Sequence, residues 1–168
     1  MELSNKDILT SCYNRRYLDD LKHYHDAQSI TYILIDLDNF KTVNDTLGHE
    51  KGDELLINMA SLALDFFEKH HGRVIRYGGD EFIVILEKNY KESLKLLKEF
   101  RNVFLRDTFL SSFKVGVTAS FGIANYPEHA NSLDSLLNKA DRALYFAKES
   151  GRNQIRSFTE ISKINERT

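Results

Sequence analysis

Apolar and polar positions along the chain follow two rhythms. One is the 3.6-residue spacing of a helix packed on one side, and the other is the dense or alternating apolar run of a strand. Residues 14–25 carry Tyr17, Leu18, Leu21 and Tyr24 at helical spacing. Residues 29–38 (SITYILIDLD) are rich in β-branched and aromatic side chains, which predicts a buried strand that ends in acids. A short helix over residues 40–47 is closed by Gly48, and a long helix starts at about residue 53 and runs to 69. Its apolar stripe is Leu56, Met59, Ala60, Ala63, Phe66 and Phe67. Extended runs at 73–77 and 81–86 flank Gly78-Gly79, the signal of a hairpin with a two-residue turn at positive φ. An amphipathic helix over 91–106, a strand over 113–124, a helix over 133–148 and a short strand over 154–158 complete the pattern. The penultimate element carries Leu133, Leu136, Leu137, Ala140, Leu144 and Ala147 on one face, with Gly151 just past its end. The polar stretch 159–168 reads as a frayed tail or linker. Helices and a largely antiparallel sheet in one layer pair make an α+β sandwich.

Composition narrows the class. A chain of 168 residues suits one domain with a sizeable core. With 42% hydrophobic and 29% charged residues, it has the balance of a globular protein. A formal net charge of −2 supplies no global basic field toward nucleic acid. Cys12 is the only cysteine, so no disulfide forms within the chain, which fits a reducing compartment. No apolar run reaches the length of a membrane span, and no signal peptide opens the sequence.

The acids carry the candidate chemistry. Asp36 and Asp38 end one strand, and Asp80 and Glu81 follow the glycine pair. If the strands are neighbours, three or four carboxylates converge on one rim. Such a cluster repels itself unless a cation or proton occupies it. Hard divalent ions with oxygen ligands suit it, and magnesium in particular binds through one or two carboxylates plus substrate phosphates. Any single aspartate is equally explained as a turn or capping residue. Two acidic pairs at strand ends argue for a site. Other motifs fail: there is no GxxxxGK[ST] loop, HEKGD has Asp53 where a zinc-binding HExxH needs histidine, and His70-His71 are adjacent rather than at ligand spacing.

RYGGDEF, preceded by IDLDNFKTVNDTLGHEKGDELL and followed by ADRALYFAKESGRNQI, closely resembles the GGDEF diguanylate cyclase family, from Asp7 to about Arg156. The resemblance implies a nucleotidyl-cyclase-like fold: a palm-type (ferredoxin-like), mostly antiparallel sheet surrounded by helices. It implies a catalytic domain over 1–158 with a tail over 159–168. The implied reaction condenses two GTP into cyclic di-GMP, releasing two pyrophosphates, in a homodimer whose half-sites face each other. Asp36 and the Leu37 backbone carbonyl correspond to metal ligands. Asp80 corresponds to a metal ligand and general base toward the attacking 3′-hydroxyl, and Glu81 to an acid that reaches a second metal. Two Mg2+ (or Mn2+) ions would stabilise the attacking and leaving oxygens. Gly78 and Gly79 would admit the substrate close to the backbone. Asn44 and Asp53 correspond to the guanine-reading pair, since a carboxylate accepts from guanine N1–H and the amino group but meets a lone pair on adenine. Lys41 corresponds to the catalytic lysine at the terminal phosphates, and with Phe40 it opens a helix whose N–H groups favour an anion. Lys148 and Arg152 correspond to a further phosphate-contacting pair, although cations at a helix C-terminus are also favourable in their own right.

Two departures stand out. The family's DxLTGLxNRR-like opening is DILTSCYNRR here, with Ser11 and Cys12 in place of glycine and leucine, while Asp7, Asn14, Arg15 and Arg16 remain. That change is expected to alter coupling or dimer geometry more than chemistry. The positions of the inhibitory RxxD motif hold Lys69, His70, His71 and Gly72, so product is not expected to inhibit through that site. With six residues before Asp7, an upstream sensory or dimerising domain is expected to be absent from this chain. The remaining expectations are a cytoplasmic location, no nucleic-acid partner and no direct membrane contact. The rival readings are a catalytically weak GTP-binding regulatory module and a cyclase with a mixed or mononucleotide product.

Overall fold

Strand β2 (Ile30–Asp38) is buried at all nine positions, as expected of a strand with apolar residues on both faces. In the computed structural model, which describes residues 4–21, 26–113 and 115–166, this strand is the centre of the sheet. Around it lie β1 (Tyr13–Asn14), β3 (Arg73–Arg76), β4 (Glu81–Leu86), β5 (Thr118–Tyr126) and β6 (Ile155–Ser157), in the order β1-β3-β4-β2-β5-β6. The inner pairs are antiparallel, and the edge pairs β1–β3 and β5–β6 are parallel.

Helices cover both faces, so the molecule has three layers rather than a single layer pair. One face packs Ile33, Ile35 and Leu37 of β2 under α2 (Phe40–Leu47), α3 (His49–Phe67) and α4 (Tyr90–Leu105). The other face packs Tyr32 and Leu34 under α1 (Arg15–Leu21), α6 (Leu133–Glu149) and α7 (Phe158–Glu166). The period-2 alternation of a strand divides the two cores. A short helix, α5 (Thr108–Ser111), joins α4 to β5.

Several boundaries differ from the sequence reading. The first helix begins at Arg15 because Tyr13–Asn14 pairs with β3; residues 22–25, including Tyr24, lie outside the described residues. Helix α3 starts at His49, not near Asp53, because Gly48 at φ 90° lets the chain leave α2 and enter α3 directly. Of the stretch expected to fray, residues 159–166 are helical within α7, with Phe158 buried and Ile161 packed on the second core; residues 167–168 lie outside the described residues. The β3–β4 connection is four residues long, with Tyr77 and Gly78 N–H both donating to Glu81 O at 2.9 and 3.3 Å. Spread over four residues, the reversal leaves neither Gly78 nor Gly79 at positive φ, contrary to the two-residue turn.

Gly122 on β5 sets how α6 lies on the sheet. A Cβ there would stand 2.5 Å from Ala140 O and 2.7 Å from Leu144 Cα. Only hydrogen at this position lets the helix backbone come so close, and the next turn of the helix carries Lys148. Among the described residues no helix is long and apolar enough to cross a membrane.

Candidate active site

The register of β2 against β4 puts Asp36 directly opposite Glu81, at the point where the ladder ends. Just beyond, Leu37 N–H donates to Asp80 O at 3.3 Å. The N–H and C=O of a strand residue leave the chain on the same side, so the Leu37 carbonyl faces the Asp80 turn. Asp80 acts on Asp36 by charge and through a side-chain hydrogen bond. Asp36, Leu37, Asp80 and Glu81 therefore meet at one rim.

Burial, at 7% exposure, is the largest influence on the Asp36 carboxyl. It outweighs the hydrogen bond from Lys148 and, with the charge of Asp80, pushes the pKa up to about 6. Glu81 is also raised, by burial first and then by the charge of Asp36. Lys148 places its ammonium against Asp36 Oδ2. Burial opposes the ammonium's charge, but the hydrogen bond and charge of Asp36, with Glu81 and Asp80, hold its pKa above the ordinary value. The rim thus carries more negative charge than Lys148 offsets, and its donors are hard oxygens, which suits a divalent cation. Among the described residues no three His, Cys, Asp or Glu side chains already stand in a metal-holding group.

Asp38 does not join this rim. Its carboxylate accepts from Thr118 Oγ1 and Ser120 Oγ, both at 2.7 Å, and from Asn153 N–H at 3.0 Å. Pairing with β5 supplies two of these donors, so the acid is satisfied inside the fold.

Beside the rim, α2 and α3 form a second group. Asn44 on α2 lies over Gly52 on α3, where any Cβ would overlap its side-chain oxygen. Asp53 is the next residue, exposed and five positions into the helix counting from His49, so it is not the N-cap. Phe40 packs on the core at the start of α2 and leaves Lys41 exposed. Beyond α6, Arg152 is exposed in a loop where Gly151, Arg152 and Asn153 have φ of 111°, 62° and 48°. Gly52 escaped the sequence reading. A glycine inside a helical pattern was the signal, because it is unfavourable there unless something packs on it.

The N-terminal segment braces the turn. The Arg76 guanidinium donates to Gly79 O at 3.0 and 3.3 Å and to Asp7 Oδ2 at 3.3 Å. Asp7 also accepts from Thr10 N–H and Oγ1 at 2.9 and 2.7 Å. Burial opposes its ionisation, but these bonds and the Arg76 charge hold its pKa below the ordinary value. Ser11 has φ 65°, a conformation suited to the glycine it replaces, and Cys12 is fully buried, its thiol pushed up to about 11 by burial. The RxxD positions fall on a 3-10 turn (Glu68–His70), then His71 at φ 59° and a buried Gly72.

The sequence profile of the family described as "Diguanylate cyclase, GGDEF domain" matches residues 4–154. A Vibrio cholerae protein named diguanylate cyclase is 35% identical over 91% of this chain and 49% of its own length. The cyclic di-GMP phosphodiesterase PdeR of Escherichia coli is 36% identical over 94% of this chain and 24% of its own length. The chain thus spans between about a quarter and a half of these curated relatives. The solved GGDEF domain of DgcB from Caulobacter crescentus, in complex with c-di-GMP, superposes with a TM-score of 0.82 at 29% identity, covering 95% of this chain and 98% of that one. The GGDEF domain of YfiN from Pseudomonas aeruginosa gives 0.78 at 31% identity, covering 94% and 99%. With the acidic rim, the order of motifs and the sheet all in agreement, the chain belongs to the GGDEF diguanylate cyclase domain family.

Proposed function

We propose that this chain is a diguanylate cyclase domain that condenses two GTP into cyclic di-GMP with release of two pyrophosphates. The observation that carries the reading is the junction of Asp36, Asp80 and Glu81 at one sheet rim, with Asp36 raised to about 6. Asp36, the Leu37 carbonyl, Asp80 and Glu81 would hold divalent cations, Mg2+ or Mn2+ and two per site. When bound, those ions neutralise charge at the α-phosphate.

The chain's own residues do the rest. Asp80, at the rim and in reach of Asp36, takes the proton of the attacking 3′-hydroxyl. Glycines 78 and 79 leave room for the substrate above the turn; a Cβ on Gly79 would meet nothing within 4 Å. Asn44, packed on Gly52, and Asp53, the next residue along α3, read guanine and reject adenine by leaving a carboxylate unpaired. Lys41, Lys148 and Arg152 supply positive charge to the phosphates from two sides, and the N-terminal N–H groups of α2 at Phe40 add to it.

One chain presents one nucleotide, and two phosphodiester bonds must form, so the active species is a homodimer. We assign catalysis to residues 1–158, with a cytoplasmic location, and expect no product inhibition through residues 69–72, which lack the RxxD pair. A titration showing tight cyclic di-GMP binding there would contradict that last point.

The experiment is chromatography of products after incubation with GTP and Mg2+. Cyclic di-GMP is expected, and Asp80→Ala is expected to lose ~10²–10⁴-fold of the rate. A mononucleotide product, or equal use of ATP, would reject the assignment. A second reading, a GTP-binding regulatory module, is favoured by the similarity to PdeR, a protein named as a phosphodiesterase. GTP binding without turnover would select it.

A further inference from the structure

The loop after α6 is unusual in three consecutive residues. Gly151, Arg152 and Asn153 all lie at positive φ, and two of them are not glycine. L residues hold such a run only where their surroundings fix it. Three sets of ties do so. Within the loop, Gln154 Nε2 donates to Ser150 O and Arg152 O, both at 2.9 Å. From α4, the Arg101 guanidinium donates to Asn153 O at 2.8 Å and to its Oδ1 at 3.1 Å. From β2, Asp38 Oδ2 accepts the Asn153 N–H at 3.0 Å.

The last tie comes from the strand that also carries Asp36. Asp36 and Asp38 share one face of β2, and each reaches the end of α6: Asp36 through Lys148, Asp38 through Asn153. Asp38 is 3% exposed, and every partner it has holds it in place. Thr118 and Ser120 orient the carboxylate, and Oδ2 accepts a second bond, from the backbone of the loop. Arg152 sits immediately before that anchored N–H, its side chain exposed.

We propose that Asp38 is a positioning residue. It fixes the left-handed loop so that Arg152 meets the substrate phosphates at a set distance from the metal-binding end of β2. The proposal rests on the reading of Arg152 given under Proposed function. It adds that an acid two residues from Asp36, which by sequence looks like another metal ligand, acts instead through the arginine.

The test compares wild type, Asp38→Asn, Arg152→Ala and the double variant of the full chain. It measures calorimetric binding of GTP and of GMP, KM for GTP, and thermal unfolding. Loss of a charged acceptor in Asp38→Asn is expected to raise the GTP dissociation constant and KM about tenfold. GMP binding should be unchanged, since its recognition does not need the distal phosphates. In the Arg152→Ala background, Asp38→Asn should add little, because its effect passes through the missing side chain. Arg101→Ala, which releases the same loop from α4, should reproduce the GTP-specific loss and keeps the test available if Asp38→Asn does not fold. Multiplicative effects in the double variant, or equal loss for GMP and GTP, would make Asp38 a general stabiliser and overturn the proposal. Wild type that binds GTP, with Arg152→Ala weakened and Asp38→Asn unaffected, would sink the proposal alone. Wild type that binds no GTP, or an Arg152→Ala that binds it normally, would overturn the reading of the site and the proposal with it.

Discussion

Lys148 on α6 and Asp36 on β2 form an ion pair at the rim of the sheet, and the pair leaves the rim's negative charge only partly offset. Asp36 keeps a pKa of about 6 in spite of the ammonium, against an ordinary value of 3.8. The folded state therefore holds this proton more tightly than the unfolded one. The stability the group contributes is complete below pH 3.8 and is lost as pH rises through about 6.

A divalent cation bound at the rim would relieve that loss, and a proton would compete with it. The expected result is that Mg2+ raises the unfolding temperature clearly at pH 7.5 and much less at pH 5. Asp36→Asn should remove most of the Mg2+ effect at the higher pH. Equal stabilisation by Mg2+ at both values would show that Asp36 is not where the ion binds.

Gly52→Ala tests the proposed guanine-reading group without substituting Asn44 or Asp53. The added methyl would overlap the Asn44 side-chain oxygen, and the side chain can swing away, so the fold should survive. Alanine also favours the helix by ~1 kcal/mol over glycine. Expected are an unchanged or raised melting temperature and a KM for GTP increased about tenfold, the loss of one good hydrogen bond. Discrimination against ATP should fall with it. An unaltered KM would mean that Asn44 does not face the base.

Much of this site was legible because its residues are short-range. Asp36 with Leu37, and Asp80 with Glu81, sit at strand ends, and strand ends can be read from apolar runs. What remained hidden depends on contacts between distant segments. Asp38 has the same type and face as Asp36, and only the register against Thr118 and Ser120 of β5 decides that it is consumed inside the fold. Gly122 looks like any glycine in a strand until α6 is laid on it. Helix α7 has polar composition, and its few apolar residues gain their order from a core that local pattern does not display.

Ser11→Gly should stabilise the chain. Ser11 is held at φ 65° between Asp7, whose carbonyl accepts its N–H at 3.1 Å, and the buried Cys12. A left-handed conformation costs an L residue ~1–2 kcal/mol, and glycine's added chain entropy returns part of that. A net gain of about 0.5–1 kcal/mol in denaturant unfolding is expected. A loss would show that the serine makes a compensating interaction. The proposed cyclase activity should be unchanged, because the substitution relaxes the segment without moving Arg76 from Gly79.

His129 gives the stability curve a slope of opposite sign to that of Asp36. Its Nδ1 accepts the Asn125 N–H at 3.0 Å, so the neutral ring carries its proton on Nε2 and donates to Thr159 Oγ1 at 2.7 Å. Its ring also meets Tyr90 and Phe158 edge-on, with centroids at 5.0 and 5.8 Å. Burial holds its pKa below the ordinary 6.5, against the charge of Glu128. The unfolded chain therefore takes up this proton first, and the group's contribution is full above pH 6.5 and lost as pH falls through its lower folded value. A second proton on Nδ1 would face the Asn125 N–H, so acid should loosen the packing of α7, whose Thr159 and Phe158 lean on the ring. His129→Gln keeps an acceptor and removes the titration. The difference in unfolding temperature between wild type and His129→Gln should then change between pH 7.5 and 5.5, in the direction of wild type losing more. A difference constant with pH would mean that the imidazole binds its proton equally well folded and unfolded, so that burial does not disfavour the charged ring.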